Sequence, residues 1–390
     1  MMKRKLLMIT KADFSKPMDG GTMRVSAVAK HLESLGFELE AIPVRDTEPQ
    51  PTPRRIADFF PLTFAQVRVI FRILRIGSIS VARWYSPRVV ARIFHATRKA
   101  SYSCAVVEYT QLLIYRPLLP GRVILDMHNV ESELLSNYSG STRSLFRKAI
   151  ANYEAGRVRQ IESTLTEYVD AVATVSSHDA QQVRRLNPEA KHVIVASNGV
   201  ADSGFDTDYE RQNTVVFVAH LGWQPNVDAA KWLAREVWPK VVAARPELKL
   251  QLVGRNPSPD VLGLASDTVE VHPNVKSVLE YVGSARVATA PLLAAGGTRL
   301  KILEALSCNT PVVATSLGAL GLEDLISDSA LAIADRAEDF AEQIIKFSSA
   351  DDRGRGTSRQ AVERYRWAST LTSLGDLVAK VGAEDDRATV

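Results

Sequence analysis

Residues 294–314 read AAGGTRLKILEALSCNTPVVA. Two glycines lead into a threonine, two closely spaced cations and a carboxylate at helical spacing, and a proline and a short apolar run follow. Gly296 and Gly297 permit a tight turn and close approach of a ligand to the backbone. Thr298 suits an N-cap, so that free N–H groups and the positive end of the helix dipole face whatever lies above the glycines. At helical periodicity Ile302, Leu303 and Leu306 share one side, while Lys301 and Glu304 share roughly the opposite side. Pro311 ends the helix, and PVVA reads as a buried strand. This loop, helix and strand suit a ligand with both phosphate charge and hydroxyl groups. Taken alone, the segment reads equally well as an amphipathic helix with a surface ion pair.

The rest of the chain decides between these readings. KLLMIT reads as a first buried strand, PMDGGTMR as a glycine turn, VSAVAKHLESLG as a helix and FELEAIPV as the next strand. This is a βαβ opening with glycines at its first strand-to-helix turn. Residues 46–60 read as a loop, with helices near 62–76 and 86–99. CAVVEY and RVILDMH are parallel strands, a long helical segment covers about 143–168, DAVATVS is a strand, and KHVIVASNG runs from strand into turn. After a polar stretch without periodicity, a second series of strands alternates with helices from TVVFVAHLG to ALAIAD. The pattern predicts two doubly wound parallel sheets, whose ligands sit beyond the carboxyl ends of the strands.

A chain of 390 residues is long for a single core. With 46% hydrophobic and 24% charged residues and a net charge of +4, it is globular and mildly basic. Cys104 and Cys308 are its only cysteines, so there is neither a disulfide framework nor zinc-ligand spacing. The opening MMKRKLLMITKAD has too short an apolar core for a signal peptide, and no apolar run is long enough to span a bilayer. A cytoplasmic location follows as the expectation.

In order along the chain, GGTMR, DMHNVES, SNGV, GWQPNVDAAKWL, LVG, GGTRLKILEALSCNTPVVAT and RYRWAST resemble the family-4 retaining glycosyltransferases. The resemblance implies the GT-B fold: two facing doubly wound Rossmann-like α/β domains with a cleft between them. It places an acceptor-side domain at 1–200, a linker at 201–213, a nucleotide-sugar-binding domain at 214–355 and a return to the first domain at 356–390. It implies transfer of a sugar from a nucleoside diphosphate sugar to a hydroxyl of a glycan, lipid-linked or small-molecule acceptor. Neither a metal nor a further cofactor is implied. His128, Arg299 and Lys301 are the expected catalytic residues. Donor contacts are expected from Gly20, Gly21, Arg24, His220, Gly222, Gly254, Asn274, Val275, Gly296, Gly297, Thr298, Arg299, Lys301 and Glu304. The sequence departs from the family at Gly296, where many members carry an acid, and at AHLGWQPN, where many carry an Arg and a Lys.

Each assignment has a plainer counterpart. His128, at the end of RVILDMH, contacts the transferred sugar or is a satisfied structural histidine. Arg24 contacts donor phosphate or acceptor or is a solvated helix residue, His220 is similarly divided, and Trp223 closes the cleft or merely packs. A nucleotide-sugar epimerase and a non-catalytic nucleotide-sugar-binding protein share much of such a site. A dehydrogenase is disfavoured because no GxGxxG follows the first strand. Between residues 54 and 99 ten cations face one acid, Asp58. Arg68, Arg72 and Arg75 line one stripe of a helix and Val67, Ile70, Phe71 and Leu74 another. This reads either as a core-facing helix with a solvated face or as a peripheral contact to an anionic membrane, at its inner face. Nucleic acid is not expected as a partner, since no nucleic-acid-binding motif is present.

Overall fold

The computed structural model describes residues 4–15, 20–45, 77–141, 144–205, 209–293, 300–327, 330–349 and 356–388. They form two compact units, Met1–Ser197 with Leu371–Val390, and Asn198–Thr370.

In unit 1, strands β1 (Lys5–Ala12), β2 (Glu38–Arg45), β3 (Cys104–Glu108), β4 (Val123–Met127), β5 (Ala171–Thr174) and β6 (Val193–Val195) form a parallel sheet in the order β2-β1-β3-β4-β5-β6. Leu6 to Ile9 are wholly buried, as expected of a parallel strand covered on both faces. Around the sheet run α1 (Gly20–Ser34), α2 (Pro87–Lys99), α3 (Glu131–Ser141), α4 (Leu145–Glu162) and α5 (Ser177–Leu186). The helical segment expected over about 143–168 is thus shorter, and α3 precedes it. The helix expected near 62–76, with Arg54, Arg55, Arg68, Arg72 and Arg75, lies outside the described residues. Within α2, Val89, Val90, Ile93 and Ala96 face the core, the ordinary arrangement of an amphipathic surface helix.

In unit 2, β7 (Thr214–His220), β8 (Lys249–Arg255), β9 (Val269–Pro273), β10 (Val287–Ala290), β11 (Val312–Ala314) and β12 (Leu331–Ile333) form a second parallel sheet, ordered β12-β11-β10-β7-β8-β9. Along β7, Val215 and Phe217 enter one apolar core and Val216 another, so helices cover both faces. The flanking helices are α6 (Gln224–Trp232), α7 (Trp238–Ala244), α8 (Leu279–Ser284), α9 (Leu300–Ser307), α10 (Ala337–Ser349) and α11 (Gly356–Ala361). Strand order reverses between β7 and β10, and crevices at such reversals, beyond the strands' carboxyl ends, are the usual ligand sites of open α/β sheets.

The stretch 201–213, expected as a linker, is part of unit 2. Arg211 ties it there, donating to the Gly283 carbonyl at 2.6 Å, the Thr310 hydroxyl at 2.7 Å and the Asn309 carbonyl at 2.7 Å. Within 356–390, α11 ends at Ala361, and the Tyr365 carbonyl beyond it accepts the Val200 N–H at 2.8 Å. Helix α12 (Thr372–Ala388) then belongs to unit 1, where Ser373 Oγ donates to the Val195 carbonyl at 2.8 Å. Among the described residues no helix is long and apolar enough to cross a membrane.

Gly254, opposite Ala219 in the β7–β8 pairing, has φ +154°, and a Cβ there would lie 1.7 Å from the Ala219 carbonyl oxygen. Gly254→Ala should therefore destabilise the protein by about 1–3 kcal/mol through overpacking and strain. Thermal denaturation checks this, and an unchanged midpoint would contradict the close approach of these strands.

Candidate functional site

At the carboxyl end of the first sheet, Glu108 closes β3 and stands in register with Asp126 of β4. Both are wholly buried. Two adjacent carboxyl groups without water are costly unless charge is compensated or one stays protonated. Arg24 on α1 supplies the compensation: its Nε and Nη2 donate to the two Asp126 oxygens at 2.9 and 2.6 Å. Val25, Val28, Ala29 and Leu32 bury the same helix against the sheet and hold the guanidinium inside. Arg24 was expected to meet donor phosphate or solvent. The structure corrects both readings, because its side chain is 0% exposed and committed to Asp126.

His128 follows β4 directly, and its Nε2 lies 2.7 Å from Glu108 Oε2. Burial, and then the nearby Asp126 charge, push the Glu108 pKa well above the ordinary carboxylate range, against the pull of Arg24. Burial, followed by repulsion from Arg24 and Lys11, pushes His128 well below the ordinary imidazole range. Both directions favour a neutral pair across the Glu108 Oε2–His128 Nε2 contact; with Glu108 as the donor, the imidazole proton sits on Nδ1. The other Glu108 oxygen is buried without a hydrogen-bond partner, which a neutral carbonyl oxygen tolerates better than an anion. With Arg24 cancelling Asp126, the buried cluster is then electrically neutral.

Tyr109 was not singled out from the sequence. It adopts φ +79°, an uncommon conformation for a bulky residue. Its ring packs on His128 at 3.8 Å between centroids, and Lys11 Nζ lies 3.6 Å from the Tyr109 ring centre. The imidazole is thus fixed on one side by Glu108 and on its face by Tyr109, with 8% of the residue still accessible.

Glu108, Asp126 and His128 each bring a potential metal-ligating atom within 4.8 Å of the others. Both Asp126 oxygens are already held by Arg24, whose positive charge would oppose a cation there. The donor chemistry therefore fits an internally paired cluster and not a metal centre. Gly20 and Gly21 open α1, and Gly20 is exposed.

At the carboxyl ends of β7, β8 and β9, unit 2 brings together several residues expected to bind donor. His220 is exposed, and its carbonyl accepts from Asn226 Nδ2 at 3.0 Å. A Cβ on Gly222 would stand 2.5 Å from the Asn256 carbonyl oxygen. Asn256 and Asn274 both adopt left-handed backbones, at φ +49° and +55°. Asn274 Oδ1 accepts the Asn256 N–H at 3.1 Å, and the Asn274 N–H donates to the Gly254 carbonyl at 2.8 Å. Asn256 is a member of this rim that sequence reasoning missed, although RNP after LVG is a recognisable turn signal. Val275, which follows Asn274, is partly buried against the core.

Gly296, Gly297, Thr298 and Arg299 lie outside the described residues. Helix α9 begins at Leu300, after the loop that leaves β10. Lys301 Nζ lies 4.9 Å from the ring centre of Phe217, at the β7 side of the strand reversal. Glu304 is half-buried on the same helix. Burial raises its pKa to about 7, with Lys301 pulling the other way. A carboxyl that titrates at neutrality can accept hydrogen bonds from a ligand diol as an anion.

Residues 212–349 match the family model described as glycosyl transferases group 1. An uncharacterized 44.6 kDa protein in the cps region of Klebsiella pneumoniae is 23% identical over 64% of this chain, a match spanning 66% of that relative. Sucrose-phosphate synthase from Thermosynechococcus elongatus has a similar structure, with a TM-score of 0.70 at 16% identity, covering 98% of this chain and all of that one. So does a TarM mutant of S. aureus solved with Fondaparinux, alpha-GlcNAc-glycerol and UDP, with a TM-score of 0.57 at 13% identity over 74% of this chain and 59% of that one. The two six-stranded parallel sheets are those of the GT-B fold, and the matched segment together with this fold supports a glycosyltransferase. The epimerase and the non-catalytic binder are not favoured.

Arg24→Met removes one partner of a buried ion pair and leaves Asp126 uncompensated. It should cost about 3–5 kcal/mol, measured by chemical denaturation. Glu108→Gln keeps a donor toward His128 Nε2 and should retain the Nδ1–H tautomer, read from imidazole nitrogen chemical shifts. A shift to the Nε2–H tautomer in Glu108→Gln would contradict this assignment.

Proposed function

We propose that the protein is a retaining glycosyltransferase whose unit 2 binds a nucleoside diphosphate sugar and whose acceptor is a glycan, lipid-linked or small-molecule hydroxyl. The observation that carries this reading is the placement of Lys301 and Glu304 on the helix that follows β10, at the reversal of strand order and inside the segment matched by the group 1 model. The UDP and Fondaparinux bound in the TarM complex support this donor and acceptor class.

In this reading the Glu304 carboxylate accepts two hydrogen bonds from the ribose diol. Lys301 faces the diphosphate. As the bond between the anomeric carbon and the phosphate oxygen breaks, its electron pair stays on the phosphate, where preorganised donors and cations lower the barrier. The acceptor oxygen bonds to the anomeric carbon on the face the phosphate leaves, and its proton passes to the departing phosphate oxygen. No covalent enzyme intermediate and no metal is assigned to the step. In unit 1, His128 is the residue proposed to take part in catalysis. The rim formed by His220, Gly222, Gly254, Asn274 and Val275 completes the proposed donor contacts of unit 2.

A thermal-shift screen over nucleoside diphosphate sugars tests the donor class, with stabilisation by at least one member expected and none throughout the panel contradicting it. Glu304→Ala should weaken free nucleoside diphosphate by about 1–3 kcal/mol in calorimetry, the cost of leaving ligand hydroxyls unpaired. The raised Glu304 pKa also sets a pH dependence. Below about 7 its carboxyl is protonated and accepts less well, so affinity should rise with pH through that value. Glu304→Gln should flatten this component, which separates it from titration of the ligand phosphate.

His128→Ala should lower turnover more than donor affinity, because in this reading His128 acts in the transfer step and not in holding the nucleotide. Steady-state kinetics showing only a raised donor KM would make His128 a ground-state binding residue.

A further inference from the structure

The carboxyl edge of the first sheet carries a second cluster beside His128, built on one indole. Three cations surround the Trp84 ring: the Arg45 guanidinium carbon lies 4.4 Å from the ring centre, Lys11 Nζ 5.3 Å and the Arg83 guanidinium carbon 5.4 Å. Lys11 belongs to β1, and Arg45 closes β2 in register with Ala12. Lys11 also faces the ring of Tyr109, the residue that packs on His128, so the cluster and the imidazole share a wall.

Trp84 is 8% exposed, so the indole serves as a floor for the cations and not as a platform for a sugar ring. Its place is fixed from two sides. The Tyr115 hydroxyl donates to the Trp84 carbonyl at 2.6 Å and accepts the Ser86 N–H at 2.9 Å. Upstream, Glu154 of α4 accepts from the Ile79 and Ser80 N–H groups, each at 3.0 Å, and from Ser78 Oγ at 2.9 Å. This pins the turn Ile79–Ala82, which leads into Arg83. Arg45 and Arg83 are nevertheless exposed, and among the described residues neither guanidinium has a hydrogen-bond or ion-pair partner. Asp13, the acid that follows Lys11 in the chain, accepts from the Ser15 N–H and Oγ at 2.9 Å each.

Cations gathered on one ring repel one another. Every pair here lies within about 11 Å, roughly a Debye length at physiological salt, and an entering anion offsets that repulsion. An arginine over an aromatic ring also offers a planar fork of N–H donors that matches the two oxygens of a carboxylate or phosphate. We propose that this cluster is an oxyanion subsite, and that the hydroxyl acceptor is a sugar carrying a phosphate or carboxylate group. Arg45 and Arg83 bind that group through their N–H donors, and Lys11 adds positive charge. Naming the ligand as the acceptor rests on the proposed transfer; the oxyanion subsite itself does not.

Calorimetry of the full chain without donor tests the subsite, with hexose phosphates, hexuronates and neutral hexoses as three sets of ligands. Binding is expected from the phosphate or the carboxylate set, and the set that binds identifies the group. Neutral hexoses should bind at least about tenfold more weakly. The double variant Arg45→Met with Arg83→Met should weaken the anionic ligand at least about tenfold, with the thermal midpoint of the ligand-free protein near that of the parent. Arg45→Lys keeps the charge but not the fork and should weaken it severalfold, which carries the test if the double variant does not fold. Neither variant should change the affinity for free nucleoside diphosphate. The proposal is overturned if neither anionic set binds, if neutral hexoses bind as tightly, or if the variants bind as the parent does. Loss of nucleoside diphosphate affinity in the variants would also overturn it, since the cations would then serve the donor. Transfer to neutral sugars by parent and variants alike would leave the transferase reading without the subsite. Anion binding that is lost in the variants, with no transfer from any donor, would leave the subsite without the transferase reading.

Discussion

The ion pair between Arg24 and Asp126 carries the chemistry of the first sheet. It sits without water at the carboxyl ends of β3 and β4, joined by two hydrogen bonds. Such a pair adds little net stability over apolar packing, but removing either partner is severe. Its consequence is local and specific. Burial and the neighbouring Asp126 charge, against the pull of Arg24, hold the second carboxyl, Glu108, as an acid, and an acid at that point has a proton to give to His128 Nε2. The imidazole is thereby held neutral in one tautomer, its face against Tyr109.

The second sheet solves a different problem with the same architecture. Its rim is made of backbone: Gly254 where Ala219 leaves no room for a Cβ, Gly222 against the Asn256 carbonyl, and two asparagines in left-handed turns. Glycine at these two positions lets the strand ends and turns approach closely, while Lys301 and Glu304 on α9 bring the charged groups. The elevated Glu304 pKa follows from the same packing, since burial of the helix on the sheet withholds water from its carboxyl.

Much of the architecture was legible because it rests on periodicity. Apolar runs such as KLLMIT and TVVFVAHLG, separated by glycine turns and amphipathic helices, specify parallel strands covered on both faces. Legibility stopped where a residue's environment depends on a distant partner. An arginine in an amphipathic helix reads as solvated or ligand-facing, and nothing local reveals that Arg24 points inward to an aspartate 102 residues away. Glu108 and Tyr109 read only as the last residues of the strand CAVVEY, whereas the structure makes them neighbours of Asp126 and His128. Helix α4 posed the reverse problem. Apolar residues in a long helix suggest a core face, and only the packed structure shows Leu145, Phe146, Ile150 and Tyr153 left outside.

The central claim is transfer with retention from a nucleoside diphosphate sugar to an acceptor hydroxyl. Its most direct test is proton NMR of the reaction with a donor found to bind and a panel of hydroxyl acceptors, following the anomeric signal of the transferred sugar. The account predicts acceptor-dependent release of nucleoside diphosphate and a product with the anomeric configuration of the donor. A product of inverted configuration, or conversion of the sugar without any acceptor, would contradict it.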